Sequence, residues 1–229
     1  MAVITGIYSN GCSFNSPNSK AHVKEYPGQL ISDYFGLKLH HFGRGGRGNY
    51  RIDVVTKIFY ETYPQFKENT FALIEWTSPF RRDYPTNDNW KPHPKQSTTW
   101  RTWQTLVESD WIKKLPGYDL DQDHSLFMLN TMLNLQTYFK HNNIRYVMYH
   151  GLPSEINPSY QDHKVLYDAI DWTHVYSPAY SQLDYVNENG YRVSTEDRHP
   201  NSQGHITWSN QLIDFITNLY PALQHKIES

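Results

Sequence analysis

The sequence predicts an α/β fold built on a doubly wound parallel sheet. Short apolar segments alternate with longer segments in which apolar residues recur at helical spacing, the pattern of strands joined by crossover helices. Segment 70–76 is apolar at nearly every position, as in a strand buried on both faces. A chain of 229 residues suffices for one well-buried domain. We therefore expect a single domain over 1–229, with functional residues at the carboxyl ends of its strands.

Two strands and two helices are predicted before the strand at 70–76. Residues 2–8 are apolar and end at a turn-prone Ser-Asn-Gly, which indicates a short buried strand. The next segment, about 26–36, has a helical apolar stripe and closes at a glycine, the usual residue after a helix. A second strand at 37–42 leads through a glycine-rich turn into a helix at about 50–62.

The same alternation continues to the C-terminus. Apolar spacing predicts a helix at about 122–141, a strand at 144–149 and a last helix at about 201–219. An irregular, aromatic-rich insertion occupies about 77–118, and prolines break 151–190 into helix pieces and loops. The tryptophans of the insertion fit either a local core that anchors a long loop or a platform for flat ligands such as sugar rings.

The composition argues against several classes of function. The chain has 21 basic and 23 acidic residues, a net charge of −2, so no global field favours nucleic acid or an anionic membrane. One cysteine gives no disulfide framework and no support for a cysteine-rich zinc site. The sequence also shows no signal-peptide pattern and no apolar run near the roughly 20 residues of a membrane span. We expect a protein of a reducing compartment, without nucleic-acid or membrane partners.

The two ends of the chain offer a nucleophile and a base. Ser13 lies in the string Gly-Cys-Ser-Phe, directly after the first strand. Near the C-terminus, Asp197 precedes His199 by two residues, and Pro200 and Asn201 follow. An imidazole becomes an effective general base when a carboxylate fixes its tautomer and orientation. Serine-based hydrolysis is the leading hypothesis; the competing interpretation is that Ser13 caps a helix and His199 only packs.

Three blocks in this order resemble the SGNH, or GDSL-like, hydrolase superfamily. They are Gly-Cys-Ser-Phe after the first strand, a glycine-rich turn before a helix, and Asp-x-His-Pro-Asn before the last helix. With the Trp-Thr-Ser-Pro string after the third strand, the chain is similar to phage-borne members; the matched blocks cover about 1–82 and 190–220. The resemblance implies a flavodoxin-like three-layer α/β/α sandwich with a central, mainly parallel sheet. It also implies no metal or organic cofactor, and a cytoplasmic or phage-associated protein.

The resemblance assigns a role to each matched residue. Ser13 is the nucleophile, His199 the general base and Asp197 the acid that orients it. The backbone N–H groups of Ser13 and Gly46 match the first two oxyanion donors, each worth about 3 kcal/mol. Thr77 stands where the family has an asparagine as third donor, so its hydroxyl is expected to fill that role.

The chain departs from the family pattern at two further positions, and three other residues are assigned to substrate binding. Cys12 replaces an aspartate that normally braces the nucleophile loop, and Glu196 stands three residues before the histidine, where many members carry the acid. For substrate binding we assign Arg81, Trp76 and Asn49, the last also a candidate N-cap of the second predicted helix.

Two further motifs are weighed as alternatives. Residues 43–48 have the G-x-G-x-x-G spacing of a dinucleotide loop, but they follow the second strand, and no ribose-binding acid ends the next one. A phosphate held by Arg44, Arg47 and the helix N-terminus is the related possibility. Residues 119–123 imitate the start of a calcium loop but lack its glycine and its final glutamate. We therefore expect no metal.

The sequence thus predicts a serine esterase that removes O-acetyl or other small acyl groups from a carbohydrate, with a small-molecule or carbohydrate ester as its partner. The alternative is a catalytically silent binding or structural module of the same fold, for example in a phage particle. Cys12 and Thr77 are the features that favour the alternative. Acyl group, alcohol and oligomeric state stay open.

Overall fold

Strands and helices alternate along the chain, as predicted. The structure, a computed structural model, describes residues 3–85, 100–104, 120–154, 156 and 161–226. Within these ranges at least one helix lies between each strand of the main sheet and the next. The α/β class is confirmed.

The main sheet has five parallel strands in the order expected of a flavodoxin-like fold. The described strands are β1 (Gly6–Asn10), β2 (Lys38–His41), β3 (Thr70–Trp76), β4 (Arg81–Pro85), β5 (Trp100–Gln104), β6 (Arg145–His150) and β7 (Val175–Tyr176). Strands β4 and β5 form a separate antiparallel pair. The spatial order is β2-β1-β3-β6-β7. Counted within the sheet this is 2-1-3-4-5, the doubly wound order in which ligands bind where the winding reverses, between β1 and β3.

Helices cover both faces of this sheet. They are α1 (Pro27–Tyr34), α2 (Asn49–Thr62), α3 (Phe66–Asn69), α4 (Leu120–His141), α5 (Gln161–Ala169), α6 (Gln182–Glu188) and α7 (Ser202–Leu219). One apolar cluster joins the sheet to α1 and α7, and a second joins it to α2 and α4. Among the helices of the described ranges, none is long and apolar enough to cross a membrane.

Strand β3 shows how the two layers are built. Its residues alternate between faces: Phe71 and Leu73 pack with α1 and α7, whereas Ile74 and Trp76 pack with α2 and α4. All seven residues of the strand are buried. Burial of each large apolar side chain stabilises the fold by roughly 1.5–3 kcal/mol. By the same alternation Glu75 faces the α1 and α7 layer, where a carboxylate is unexpected.

The predicted boundaries hold best where the apolar pattern is longest. The strand at 70–76 is reproduced, and most long helices begin and end within two residues of their predicted positions. Strand β7 has two residues, too few for a period to be visible in sequence. Strands β4 and β5 lie within the segment predicted to be irregular. Residues 86–99 and 105–119, with Trp90 and Trp111, lie outside the described residues.

Two buried histidines predict that the fold weakens in acid. His150 and His205 are 0% and 1% exposed, and burial lowers the pKa of each from 6.5 to about 4. In the unfolded chain both protonate near their ordinary pKa. The unfolded state therefore binds more protons between pH 6.5 and 4, and the free energy of unfolding falls as the pH drops through that window.

At about pH 4 each histidine lowers the free energy of unfolding by up to roughly 3 kcal/mol, since a shift of one pKa unit corresponds to about 1.4 kcal/mol. We expect a lower urea midpoint at about pH 4.5 than at about pH 7.5. The His150→Gln/His205→Gln double variant should lose part of this dependence, because glutamine does not titrate. Equal pH dependence in the two proteins would contradict the assignment.

Candidate active site

Ser13 sits on a turn that is anchored from both sides while its own side chain stays partly exposed. Strand β1 ends at Asn10, and a single 3₁₀ turn spans Ser13–Asn15. The buried amide of Asn15 donates to Ser9 Oγ at 2.8 Å and accepts the N–H of Gly28 at 3.0 Å. This clamp ties the turn to β1 and to the start of α1, so the Ser13 hydroxyl is presented at the carboxyl end of the sheet.

The C-terminal block brings His199 and Asp197 to this hydroxyl. His199 Nε2 lies 2.9 Å from Ser13 Oγ, and His199 Nδ1 lies 2.5 Å from Asp197 Oδ1. The loop is held by a bond from the Val193 N–H to the His199 carbonyl, 2.9 Å long. Immediately after it Asn201 caps α7 by accepting the N–H of Gly204 at 2.9 Å. The predicted serine, histidine and aspartate therefore form one continuous chain of contacts.

Asp197, and not Glu196, is the carboxylate at the imidazole. Asp197 accepts the backbone N–H of His199 at 3.0 Å and the side-chain amide of Asn18 at 3.2 Å. These bonds, the backbone one first, lower the pKa of Asp197, so it is ionised at neutral pH. Glu196 is exposed and bonds instead to the hydroxyls of Ser194 and Thr195.

A cavity of about 410 Å³ opens over Ser13. Eight of its ten lining residues carry polar side chains. The lining residues are Ser13, Ser16, Pro17, Asn18, Ser19, Lys20, Gly45, Glu196, Asp197 and His199.

The glycine-rich turn at 43–48 packs directly on the nucleophile turn. A Cβ on Gly43 would lie 2.2 Å from the carbonyl oxygen of Asn15, so only glycine permits this approach. The Arg44 N–H donates to the carbonyl of Gly11 at 3.1 Å. Gly46, the predicted second oxyanion donor, has φ +77° and is exposed beside the cavity-lining Gly45. Its role as a donor stays a prediction.

Beneath Ser13, Glu75 contacts the nucleophile turn. Its Oε2 accepts the N–H of Cys12 at 3.0 Å, and its Oε1 accepts the Cys12 thiol at 2.8 Å. Both side chains are 0% exposed. Burial raises the pKa of Cys12 to about 12, so the thiol stays protonated and is not a competing nucleophile.

Three of the predicted contact residues require correction. The Thr77 hydroxyl is fully buried without a hydrogen-bond partner; a group that water cannot touch does not reach a substrate oxyanion unless the chain moves. Asn49 is 1% exposed. Its side-chain amide accepts the backbone N–H of Thr77 at 2.9 Å and donates to the Thr77 carbonyl at 3.1 Å. Trp76 is buried in the core against α2 and α4. None of the three lines the Ser13 cavity.

The arginines of this region have separate roles. Arg81 is half-buried at the start of β4, and its charge lowers the pKa of both Cys12 and Glu75. It therefore adds positive potential at the nucleophile turn, while its contact with substrate stays a prediction. Arg47 is buried and donates to the side chain of Asn10 at 2.8 Å, so it supports the turn from within.

The nucleotide and phosphate alternatives for 43–48 lose two of the three groups assigned to them, whereas Arg44 is exposed. The Asp83 carboxylate accepts the N–H of Gly48, the N-cap of α2, at 2.7 Å. A negative group already occupies the helix N-terminus that a phosphate would need. Arg47, proposed as a phosphate ligand, is committed to Asn10.

Sequence reasoning missed Asn18, Gly45 and Glu75. Asn18 reaches the site through a loop without a recognisable pattern, whereas Gly45 lies in the glycine-rich turn at 43–48, next to the Gly46 that was predicted. Glu75 did carry a signal, because a charged residue inside an otherwise apolar strand must find a partner or a purpose.

No protein-family model matches the chain, and no curated protein matches its sequence. Among solved structures, the acetyl xylan esterase Est2A from the rumen bacterium Butyrivibrio proteoclasticus is similar over 96% of this chain, with 10% identity and a TM-score of 0.46. The match covers 66% of that protein, so this chain spans just under two thirds of its length. A lipolytic protein assigned to the G-D-S-L family, from Desulfitobacterium hafniense DCB-2, is similar over 92% of this chain and 99% of its own, with 9% identity and a TM-score of 0.42. The chemistry assigned to the site rests on its own contacts.

Proposed function

We propose that the chain is a serine esterase that removes O-acetyl or other small acyl groups from a carbohydrate. The observation that carries the proposal is the contact chain from Ser13 through His199 to Asp197, with distances of 2.9 and 2.5 Å. A serine caught by chance at a helix start has no need of an oriented imidazole and an ionised carboxylate behind it.

The geometry supports a two-step acyl transfer. Ser13 Oγ attacks the ester carbonyl while His199 Nε2 takes its proton, and Asp197 stabilises the imidazolium through Nδ1. We assign the backbone N–H groups of Ser13 and Gly46 to stabilise the oxyanion as charge develops. His199 then returns the proton to the departing alcohol. In the second step His199 deprotonates a water that attacks the acyl group on Ser13, and collapse of the intermediate releases the carboxylic acid.

The lining of the cavity supports a small acyl group and a hydroxylated alcohol. Ser16, Asn18, Ser19 and Lys20 supply hydroxyl, amide and ammonium groups, which fit a sugar better than a hydrocarbon. A long acyl chain would need an apolar channel, and Pro17 is the one fully apolar side chain among the lining residues.

Two assays test this proposal. The purified protein should hydrolyse p-nitrophenyl acetate faster than p-nitrophenyl octanoate, and it should release acetate from an acetylated xylo-oligosaccharide. A fluorophosphonate probe should label Ser13 in the native protein and leave the urea-unfolded protein unlabelled, because only the folded site activates the hydroxyl.

The alternative of a catalytically silent module is favoured by the burial of Thr77. With that hydroxyl buried, the position of the third oxyanion donor has no donor assigned among the described residues. Under that alternative, neither p-nitrophenyl ester is hydrolysed and the probe does not react. Release of acetate together with labelling of Ser13 would exclude it.

A further inference from the structure

We propose that Glu75 is a positioning residue of this site: it fixes the backbone of Cys12 and thereby aims the Ser13 N–H at the developing oxyanion. The inference rests on the proposed esterase function. Its structural basis is the close contact between Glu75 and the residue that precedes the nucleophile.

The position of Glu75 is costly for the fold. It lies one residue before the end of β3, on the face that otherwise packs apolar side chains against α1 and α7. Burying a carboxyl group costs several kcal/mol unless its oxygens are fully bonded. An apolar side chain would fill this place at lower cost, so the retained carboxyl group requires a local reason.

Both oxygens of Glu75 are directed at Cys12. Oε2 accepts the backbone N–H at 3.0 Å, and Oε1 accepts the thiol at 2.8 Å. Two glycines leave the space that the carboxyl group fills: a Cβ on Gly11 would lie 2.5 Å from Oε2, and one on Gly151 would lie 2.0 Å from Oε1. The side chain is therefore confined between β1 and β6, with its acceptors fixed on the nucleophile turn.

This contact controls the peptide that carries the first oxyanion donor. Cys12 has φ −96° and ψ −149°, and its own side chain caps nothing in the turn that follows. The next peptide group along the chain contains the Ser13 N–H. Holding the Cys12 N–H limits rotation of that peptide, and an oxyanion donor is effective only when its direction is set before the reaction.

Glu75 also returns a carboxyl group to a turn that lacks one. Cys12 stands where the resembled family carries an aspartate that braces the loop from within. Here the bracing group comes from the neighbouring strand, and the cysteine becomes the group that is held. Glu75 on β3 therefore compensates for the carboxyl group that is missing at position 12.

Within the described part of the chain, the charged and titratable groups that interact with Glu75 are Cys12, Arg81 and Tyr149. Burial raises the pKa of Glu75 to about 7, opposed by the bonds from Cys12 and the charge of Arg81. Tyr149, on β6, is buried and stays protonated because burial and the nearby Glu75 raise its pKa. Among these groups Arg81 is the cation, and its charge favours the ionised form of Glu75.

Two variants separate position from charge. Glu75→Gln removes the charge but keeps an oxygen within reach of the Cys12 N–H, so we expect kcat to stay within about fivefold of wild type. Glu75→Asp keeps the charge but withdraws the oxygens by one methylene. We expect it to lower kcat by roughly 30- to 100-fold, below the 10²–10³ for complete loss of an oxyanion donor. KM should change less than about threefold in both, because the donor acts in the transition state.

The matched control is Asp53→Asn, which alters another buried carboxyl group, paired with Lys57 at 2.7 Å on α2. It should lower the melting temperature without changing kcat. An Asp variant as active as the Gln variant, or a loss that falls mainly on KM, would overturn the proposal.

A second measurement keeps this inference separate from the esterase assignment. Amide hydrogen exchange at Cys12 should be at least about tenfold faster in Glu75→Asp than in Glu75→Gln, because the acceptor is withdrawn only in the former. Slow exchange in both would refute the bracing role. If exchange is faster in Glu75→Asp than in Glu75→Gln but the wild-type protein hydrolyses no ester, the bracing role of Glu75 stands and the esterase function is refuted.

Discussion

Ser13→Ala is expected to reduce the hydrolysis of p-nitrophenyl acetate by roughly four to six orders of magnitude, the range for loss of a serine nucleophile. Without Oγ no acyl intermediate forms, and the remaining rate reflects what the oxyanion donors and bound water achieve alone. The melting temperature should change by only a few degrees, because Ser13 is partly exposed and its described side-chain partners are His199 and a distant Cys12 sulfur. Initial rates and thermal unfolding of both proteins check the prediction.

Ser32→Ala is the matched control for this experiment. Ser32 is a buried serine on α1 whose hydroxyl bonds the carbonyl of Gln29 at 3.0 Å. Its removal should cost some stability and no activity. A Ser13→Ala protein that hydrolyses the ester at the wild-type rate would remove Ser13 from the mechanism.

Asp197→Asn is expected to lower kcat by up to about 10⁴-fold, by analogy with the same change in a serine-protease triad. Asp197 Oδ1 lies against His199 Nδ1 and also accepts the His199 backbone N–H. An asparagine amide turned toward Nδ1 would favour the wrong tautomer, leaving Nε2 protonated and unable to accept the Ser13 proton. Measured kcat and KM should show a fall in kcat with KM nearly unchanged.

Glu196→Gln separates this role from a general loss of negative charge. Glu196 is the adjacent carboxylate, exposed and bonded to Ser194 and Thr195. We expect its substitution to leave kcat within about twofold, since an exposed charge away from the imidazole is screened. A larger loss from Glu196→Gln than from Asp197→Asn would reverse the assignment of the acid.

The elements and the principal constellation were predictable from the sequence, because each depends on short-range patterns. The apolar run of β3 and the stripes of α2 and α7 have periods that only one secondary structure satisfies. Ser13 follows the first strand, and His199 with Asp197 precedes the last helix. In a parallel sheet those positions meet at one edge, so residues 186 apart in sequence could be paired in advance.

Side-chain direction and long-range compensation could not be predicted in this way. Thr77 follows β3 and Asn49 begins α2, but the amide of Asn49 bonds to the Thr77 backbone, and both side chains are buried. Trp76 follows the alternation of β3 into the core. A family pattern states which residue stands at a position, whereas exposure depends on the neighbouring layer.

The sequence by itself determined the α/β class, the order along the chain of the four longer strands of the main sheet, and the three residues of the contact chain. The tertiary structure decided which carboxylate meets the imidazole, that Glu75 on β3 supports the turn at Cys12, and that Asp83 occupies the N-terminus of α2. The physical reason is common to all three. A hydrogen bond requires about 3 Å between two atoms, and only the packing of strands and loops brings residues far apart in sequence within that distance.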